Sequence, residues 1–284
     1  MTDSERREEL LRDGFCRVPG VLDAETLERM RGVSRELTGA MSDEDRRTHK
    51  YTGSLISLAD DERFSELIAY PKTLEAFESL GFDDLRWTSG YVISKPPHSP
   101  SLFWHQDWGG WNEPESYEET PLQLFAMFYL VDTTPENGCL RVIPGTHVRR
   151  HALHEVLSEA HSKATYESDE ASAEHDTVEG EVNVPVKAGD LVIGDARLLH
   201  ASHPNNSDAS RTVVTIWYIP GFGGLSESLR QMFGSIHANR SGGVYKEWSA
   251  EARERVRGLL PSTEGAVEEL TLHRMPDAAL LSGG

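Results

Sequence analysis

An imidazole and a carboxylate stand two positions apart in Phe103-Trp104-His105-Gln106-Asp107-Trp108, and among twelve histidines His105-Gln106-Asp107 is the only His-x-Asp or His-x-Glu tripeptide. The surroundings are strand-like, and on a strand such a pair points to one face. Two donors on one face are two-thirds of the 2-His-1-carboxylate triad that holds non-haem Fe(II) with open positions. The third donor should be a histidine far along the chain. His200 leads, at the end of Gly189-Asp190-Leu191-Val192-Ile193-Gly194-Asp195-Ala196-Arg197-Leu198-Leu199-His200, because it directly follows a predicted strand and turn. His203 competes, although it precedes the turn signal Pro204-Asn205-Asn206. His147 reads as structural, while His151, His154 and His161 fall in a polar, helix-like stretch and read as solvated.

Three protein donors on one face of an iron ion leave three positions, enough for a bidentate 2-oxo acid and dioxygen together. Tetrahedral zinc would leave one, for water. Arg211 then acquires a task, since a cation projecting into a barrel is costly unpaired and its guanidinium matches a carboxylate bidentately. The plainer reading of Arg211 is a surface arginine on an edge strand.

The pairing of Trp-His-Gln-Asp with Leu198-Leu199-His200-Ala201-Ser202, and with Arg211 eleven residues after His200, resembles the phytanoyl-CoA dioxygenase-like (PhyH) family. The resemblance runs from Asp13-Gly14-Phe15 to about Pro220 and takes in Pro135 to His147. It implies a double-stranded β-helix, a jelly-roll or cupin-like barrel with helices buttressing one side. It also implies Fe(II) held by His105, Asp107 and His200, with 2-oxoglutarate and O2 as co-substrates. Arg211 would receive the distal carboxylate of 2-oxoglutarate, with Ser202, Gln123 and Lys95 as weaker contacts. The implied reaction releases succinate and CO2 and hydroxylates an unactivated C–H of a metabolite, lipid or natural-product intermediate. Desaturation, epoxidation and rearrangement use the same oxidant. Asp107 speaks against halogenation, for which this class replaces the metal carboxylate with a small residue. Trp104, Trp108 and Trp111 flank the motif and are candidate pocket walls, or core. Two rivals are a zinc or manganese cupin-like isomerase or hydrolase, and a non-catalytic binding protein on the same barrel.

The elements that must position these residues can be read from periodicity. A charged N-terminal stretch reads as a frayed or surface helix leading to a strand at Gly14–Val18. Asp23 can cap a helix carrying Leu27, Met30, Val33 and Leu37, and Pro71 can open another that Gly81 ends. Residues 41–47 read as a loop or short helix end. From Leu85 the pattern turns to β, with runs at 85–94, 122–131, 140–143, 181–186, 190–193 and 211–219 separated by Gly, Pro and Asn turns. Many short strands so spaced point to a sandwich or jelly-roll barrel. The expectation is mainly β with flanking α-helices, one domain over 1–284: helical support to about 82, barrel core at about 83–220, and a C-terminal helical extension from about 221. Residues 166–181, with seven acidic side chains and no Lys or Arg, read as a loop or a lid, and Ala278–Leu281 could dock on the core or on a second subunit.

Net charge is -19, from 47 acidic against 28 basic residues, which disfavours nucleic acid, and no basic run awaits the phosphates of coenzyme A. There is no apolar run of membrane-spanning length and no signal-like N-terminus, so a cytoplasmic protein is expected, acting on a small molecule, with homo-oligomerisation open. Cys16 and Cys139 lie far apart without metal-type spacing and read as buried thiols.

Overall fold

A computed structural model describes residues 1–157, 175–242, 245–262 and 272–277. Among these residues ten strands form two antiparallel sheets. They are β1 (Phe15–Val18), β2 (Ile56–Ser57), β3 (Arg86–Lys95), β4 (Leu102–His105), β5 (Leu124–Tyr129), β6 (Leu140–Val142), β7 (Val182–Val184), β8 (Leu191–Asp195), β9 (His200–Ser202) and β10 (Arg211–Ile219). The larger sheet has the order β1-β8-β5-β10-β3-β2 and the smaller β4-β9-β6-β7. Together they make the jelly-roll barrel expected from the resemblance.

The two-residue period of the strands divides their side chains between two cores. On β10, Val214, Ile216 and Tyr218 turn outward, joined by Ala126 and Phe128 of β5 and Leu191 and Ile193 of β8. Helices cover this face, and Met30, Val33, Leu67 and Phe77 pack into the same cluster. The alternate residues Val213, Phe125, Met127, Tyr129 and Val192 turn inward and meet Leu140, Val142 and Val184 of the smaller sheet. The large sheet is therefore apolar on both faces, which is why β5 reads as an unbroken apolar run rather than an alternation. Its six residues are all buried.

The helical expectations hold where a cap supports them. Asp23 accepts from the Thr26 amide to begin helix Ala24–Gly39, and Pro71 opens helix Pro71–Ser79. The first helix, Asp3–Asp13, is firmer than a frayed segment. Thr2 and Glu5 form a capping box and Leu10 is fully buried. A second box, Ser42 with Asp45, makes Asp43–Thr48 a short helix. Helix Glu227–His237 falls in the helical extension expected from about 221, and its Leu229, Phe233 and Ile236 recur at helical spacing and pack on Trp108 and Trp111. The C-terminal charged stretch contains helix Ala250–Val256. Most of the acidic 166–181 segment, His161 and Ala278–Leu281 lie outside the described residues. Among the described residues no helix is long and apolar enough to cross a membrane.

Candidate metal and co-substrate site

His105 ends β4 and His200 begins β9, and the two are register partners in the smaller sheet. Antiparallel pairing thus places two residues 95 positions apart side by side, with ring centroids 4.1 Å apart. Asp107 does not share the strand with His105, as the spacing suggested. The strand stops at His105, and the Asp107 and Trp108 amides both donate to the Ala196 carbonyl, at 2.8 and 2.9 Å. This turn swings the carboxylate between the imidazoles. Asp107 Oδ1 lies 3.8 Å from His105 Nε2 and Oδ2 lies 3.7 Å from His200 Nε2. One donor atom from each residue falls within 4.8 Å of the others, and this is the one such trio among the described residues.

The backbone fixes which nitrogen each ring presents. His105 Nδ1 donates to the Phe103 carbonyl and His200 Nδ1 to the Leu198 carbonyl, each at 3.0 Å. A carbonyl can only accept, so Nδ1 carries the proton and Nε2 offers its lone pair inward. Trp217 Nε1 donates to Asp107 Oδ2 at 3.0 Å and orients the third donor. Phe125 backs His200, with rings 5.3 Å apart. Its ring occupies the space a side chain would need at its register partner Gly194, where a Cβ would overlap it. Two neutral imidazoles and one carboxylate on one side of an open space suit a divalent transition ion that keeps positions for other ligands.

That open space is a cavity of about 240 Å³ between the sheets. His105, Asp107 and His200 line it, as do Gln123, Ser202 and Arg211. Arg211 is 4% exposed and starts β10 with its side chain inward. Burial pushes its pKa down from the ordinary value, while Tyr129 and Cys139 act in the opposite sense. Arg211 Nε and Ser202 Oγ are both buried and have no hydrogen-bond partner among the described residues. A buried guanidinium without a carboxylate costs several kcal/mol, and among the described residues none is paired with it, so the arrangement suits an anionic ligand. 2-Oxoglutarate, with one end for a metal and a second carboxylate for an arginine and a hydroxyl, meets that demand.

Four expected contacts lie elsewhere. Lys95 is buried outside the cavity wall, its Nζ donating to the carbonyls of Tyr51, at 2.9 Å, and Pro100. Trp104 donates to the Asp176 carbonyl beneath the Arg141 guanidinium, Trp108 donates to Ser116 Oγ, and Trp111 packs in the core beside helix Glu227–His237. None of the three tryptophans lines the cavity. Their number and aromatic character suggested walls, but Trp104 stands next to His105 on β4 and so faces the other side of the strand, while Trp108 and Trp111 follow the turn that leaves it. The tryptophan that does line it is Trp217, with Tyr91, Tyr129 and Thr215. Residues 213, 215 and 217 share a strand face with Arg211, so a two-residue count from Arg211 would have found Thr215 and Trp217. His203 bonds to Asn183 outside the trio. His147 is buried against the Leu11 carbonyl. His154, expected in solvent, is 6% exposed and accepts at Nδ1 from the His151 amide.

A jelly-roll enclosing two histidines and a carboxylate beside a buried arginine is the build of non-haem metal oxygenases. The chain belongs to the phytanoyl-CoA dioxygenase (PhyH) family, whose model matches residues 10–213. It is 34% identical over 166 residues to a phytanoyl-CoA dioxygenase domain-containing protein 1 homolog of Dictyostelium discoideum, covering 55% of this chain and 57% of that one. It is 28% identical over 173 residues to a probable alpha-ketoglutarate-dependent hypophosphite dioxygenase of Stutzerimonas stutzeri, covering 60% and 54%. The chain thus spans about half the length of these curated relatives. Among solved structures, HygX from Streptomyces hygroscopicus with nickel and 2-oxoglutarate bound aligns with a TM-score of 0.59 at 19% identity, over 77% of this chain and 87% of that one. The epimerase SnoN, in complex with Fe3+, alpha ketoglutarate and nogalamycin RO, aligns with a TM-score of 0.55 at 24% identity, over 76% and 83%. These likenesses establish the shared fold.

Proposed function

We propose that this chain is an Fe(II)- and 2-oxoglutarate-dependent oxygenase that hydroxylates an unactivated C–H of a small organic molecule, with release of succinate and CO2. The observation that carries the reading is the pairing, in one cavity, of the His105–Asp107–His200 trio with a buried Arg211 that lacks a counter-ion among the described residues. Bound Fe(II) with 2-oxoglutarate supplies an oxidant able to attack C–H bonds. The chain's own part is placement. His105 and His200 present Nε2, Asp107 presents its carboxylate under the hold of Trp217, and Arg211 with Ser202 receives the distal carboxylate of 2-oxoglutarate. Gln123, Met127 and Tyr129 line the same cavity. Residues 1–284 are read as one oxygenase domain. A zinc or manganese isomerase or hydrolase on the same barrel would leave Arg211 without a task.

The experiment is anaerobic addition of Fe(II) and then 2-oxoglutarate to metal-free protein. The expected result is the visible charge-transfer band of chelated 2-oxoglutarate, absent in His105→Ala and weakened in Arg211→Ala. Fe(II) binding without the band would overturn the co-substrate assignment.

A further inference from the structure

Charge in the cavity runs opposite to charge on the chain. The protein carries -19 overall, yet among the described residues that line the cavity there are three arginines, Arg211, Arg240 and Arg274, and one carboxylate, Asp107. The inference rests on the reading of the site as a 2-oxoglutarate oxygenase. Under that reading the divalent ion and Arg211 balance Asp107 and the two carboxylates of 2-oxoglutarate, so the co-substrate uses neither Arg240 nor Arg274.

Both of these arginines come from beyond the barrel strands. Arg240 sits on the π-type turn Ala238–Gly242, a feature that recurs at functional sites. Ser241 Oγ pins this turn by donating to the Thr88 carbonyl at 3.2 Å. Among the described residues no carboxylate forms an ion pair with Arg240. Arg274 Nη1 donates to the Asp107 carbonyl at 3.4 Å, which ties this side chain to the backbone of the metal motif. Its segment is itself fastened, with His273 bridged to Gly110 and the Gln106 side-chain amide donating to the Arg274 carbonyl at 3.1 Å. Met232, Ile236 and Leu272 form the neighbouring apolar wall. Thr215 also lines the cavity, and its Oγ1 is buried and without a hydrogen-bond partner among the described residues. A hydroxyl in that position waits for a ligand atom.

We propose that the substrate carries an anionic oxo-acid group, a carboxylate or a phosphoryl, that docks on Arg240 with Arg274 beside it. Its apolar part lies along Met232, Ile236 and Leu272 and directs a C–H toward the His105–Asp107–His200 end, with Thr215 Oγ1 as an interior hydrogen-bond partner. Charge-assisted bonds to a guanidinium discriminate an anion from a neutral molecule of the same shape.

The test uses the full chain loaded anaerobically with Fe(II) and 2-oxoglutarate, and four probes with one tail: hexanoate, hexyl phosphate, hexanol and hexylamine. Binding is read calorimetrically and by perturbation of the charge-transfer band. At least one anion should bind about tenfold or more tightly than the alcohol and the amine, and which one it is separates carboxylate from phosphoryl recognition. Arg240→Gln with Arg274→Gln should abolish that preference, and the exposed Arg240→Gln alone should lower it with the band intact. Equal binding of all four probes, tighter binding of the amine, no binding of either anion, or a preference that survives the double substitution would overturn the proposal. Absence of the band in the unsubstituted protein would instead overturn the co-substrate reading, and this inference with it.

Discussion

Trp217 Nε1 and Asp107 Oδ2 are joined by a 3.0 Å hydrogen bond between the end of β10 and the turn after β4. The bond selects one orientation of the carboxylate before any metal arrives. Trp217→Phe keeps most of the ring and removes the donor, and it should weaken Fe(II) binding about 10- to 100-fold, the usual effect of losing an outer partner of a metal ligand. A metal titration checks this. Unchanged affinity would mean that the amide contact of Asp107 with Ala196 suffices to hold the carboxylate.

Arg211→Met should separate stability from co-substrate binding. It removes a buried cation without a described counter-ion, so the ligand-free protein should be as stable as wild type or more so, by up to about 4 kcal/mol. Loaded with a divalent metal, wild type should gain thermal stability from 2-oxoglutarate by mass action, and the variant should gain little. Thermal unfolding with and without 2-oxoglutarate reads both effects. Equal stabilisation of the two proteins would remove Arg211 from the co-substrate site.

Gly194→Ala tests the support behind His200. An added methyl must displace the Phe125 ring that backs this imidazole, which should cost about 1–3 kcal/mol in urea unfolding and weaken metal binding. Phe125→Leu in the same chain should recover part of the stability, because the two positions share one space. Additive losses would show that the backbone, rather than the ring, absorbs the strain.

Acid should destabilise the fold through buried imidazoles away from the metal trio. Burial pushes His154 and His237 down to about 4 from an ordinary 6.5. Between those values the unfolded chain binds more protons than the folded one, so stability rises with pH across the window and is lost as pH falls through it. The unfolding midpoint should drop from pH 7 to pH 4.5, and drop less in the His154→Asn, His237→Asn double variant. Parallel curves would assign the loss to other groups.

The trio proposed to hold the metal was legible because its chemistry is rare in the sequence: one His-x-Asp tripeptide, and one late histidine directly after a predicted strand. What the spacing misjudged was the route. Asp107 reaches the site by leaving the strand, through two amides on the Ala196 carbonyl, and no local pattern announces that long-range contact. The same departure carries Trp108 and Trp111 into packing, and alternation along β4 turns Trp104 to the face opposite His105, so closeness in sequence to the trio was a poor guide to the cavity wall. The strand runs were readable from β-branched and aromatic content, and helix starts from Asp23 and Pro71. Arg240 and Arg274 carried no signal, since each reaches the cavity only through tertiary docking of segments beyond the barrel.

The residues proposed to hold metal and co-substrate, from His105 to Arg211, fall inside the stretch that the family model matches, whereas Met232, Ile236, Arg240, Leu272 and Arg274 all follow it. Under the two proposals, metal and co-substrate binding falls to the earlier part of the chain and most of the substrate contacts to the later part, Thr215 lying between them. A chimera joined near Pro220 should keep the metal and co-substrate binding of its first parent and take the anion preference of its second. Its junction would lie at the turn after β10, beyond every donor in the trio.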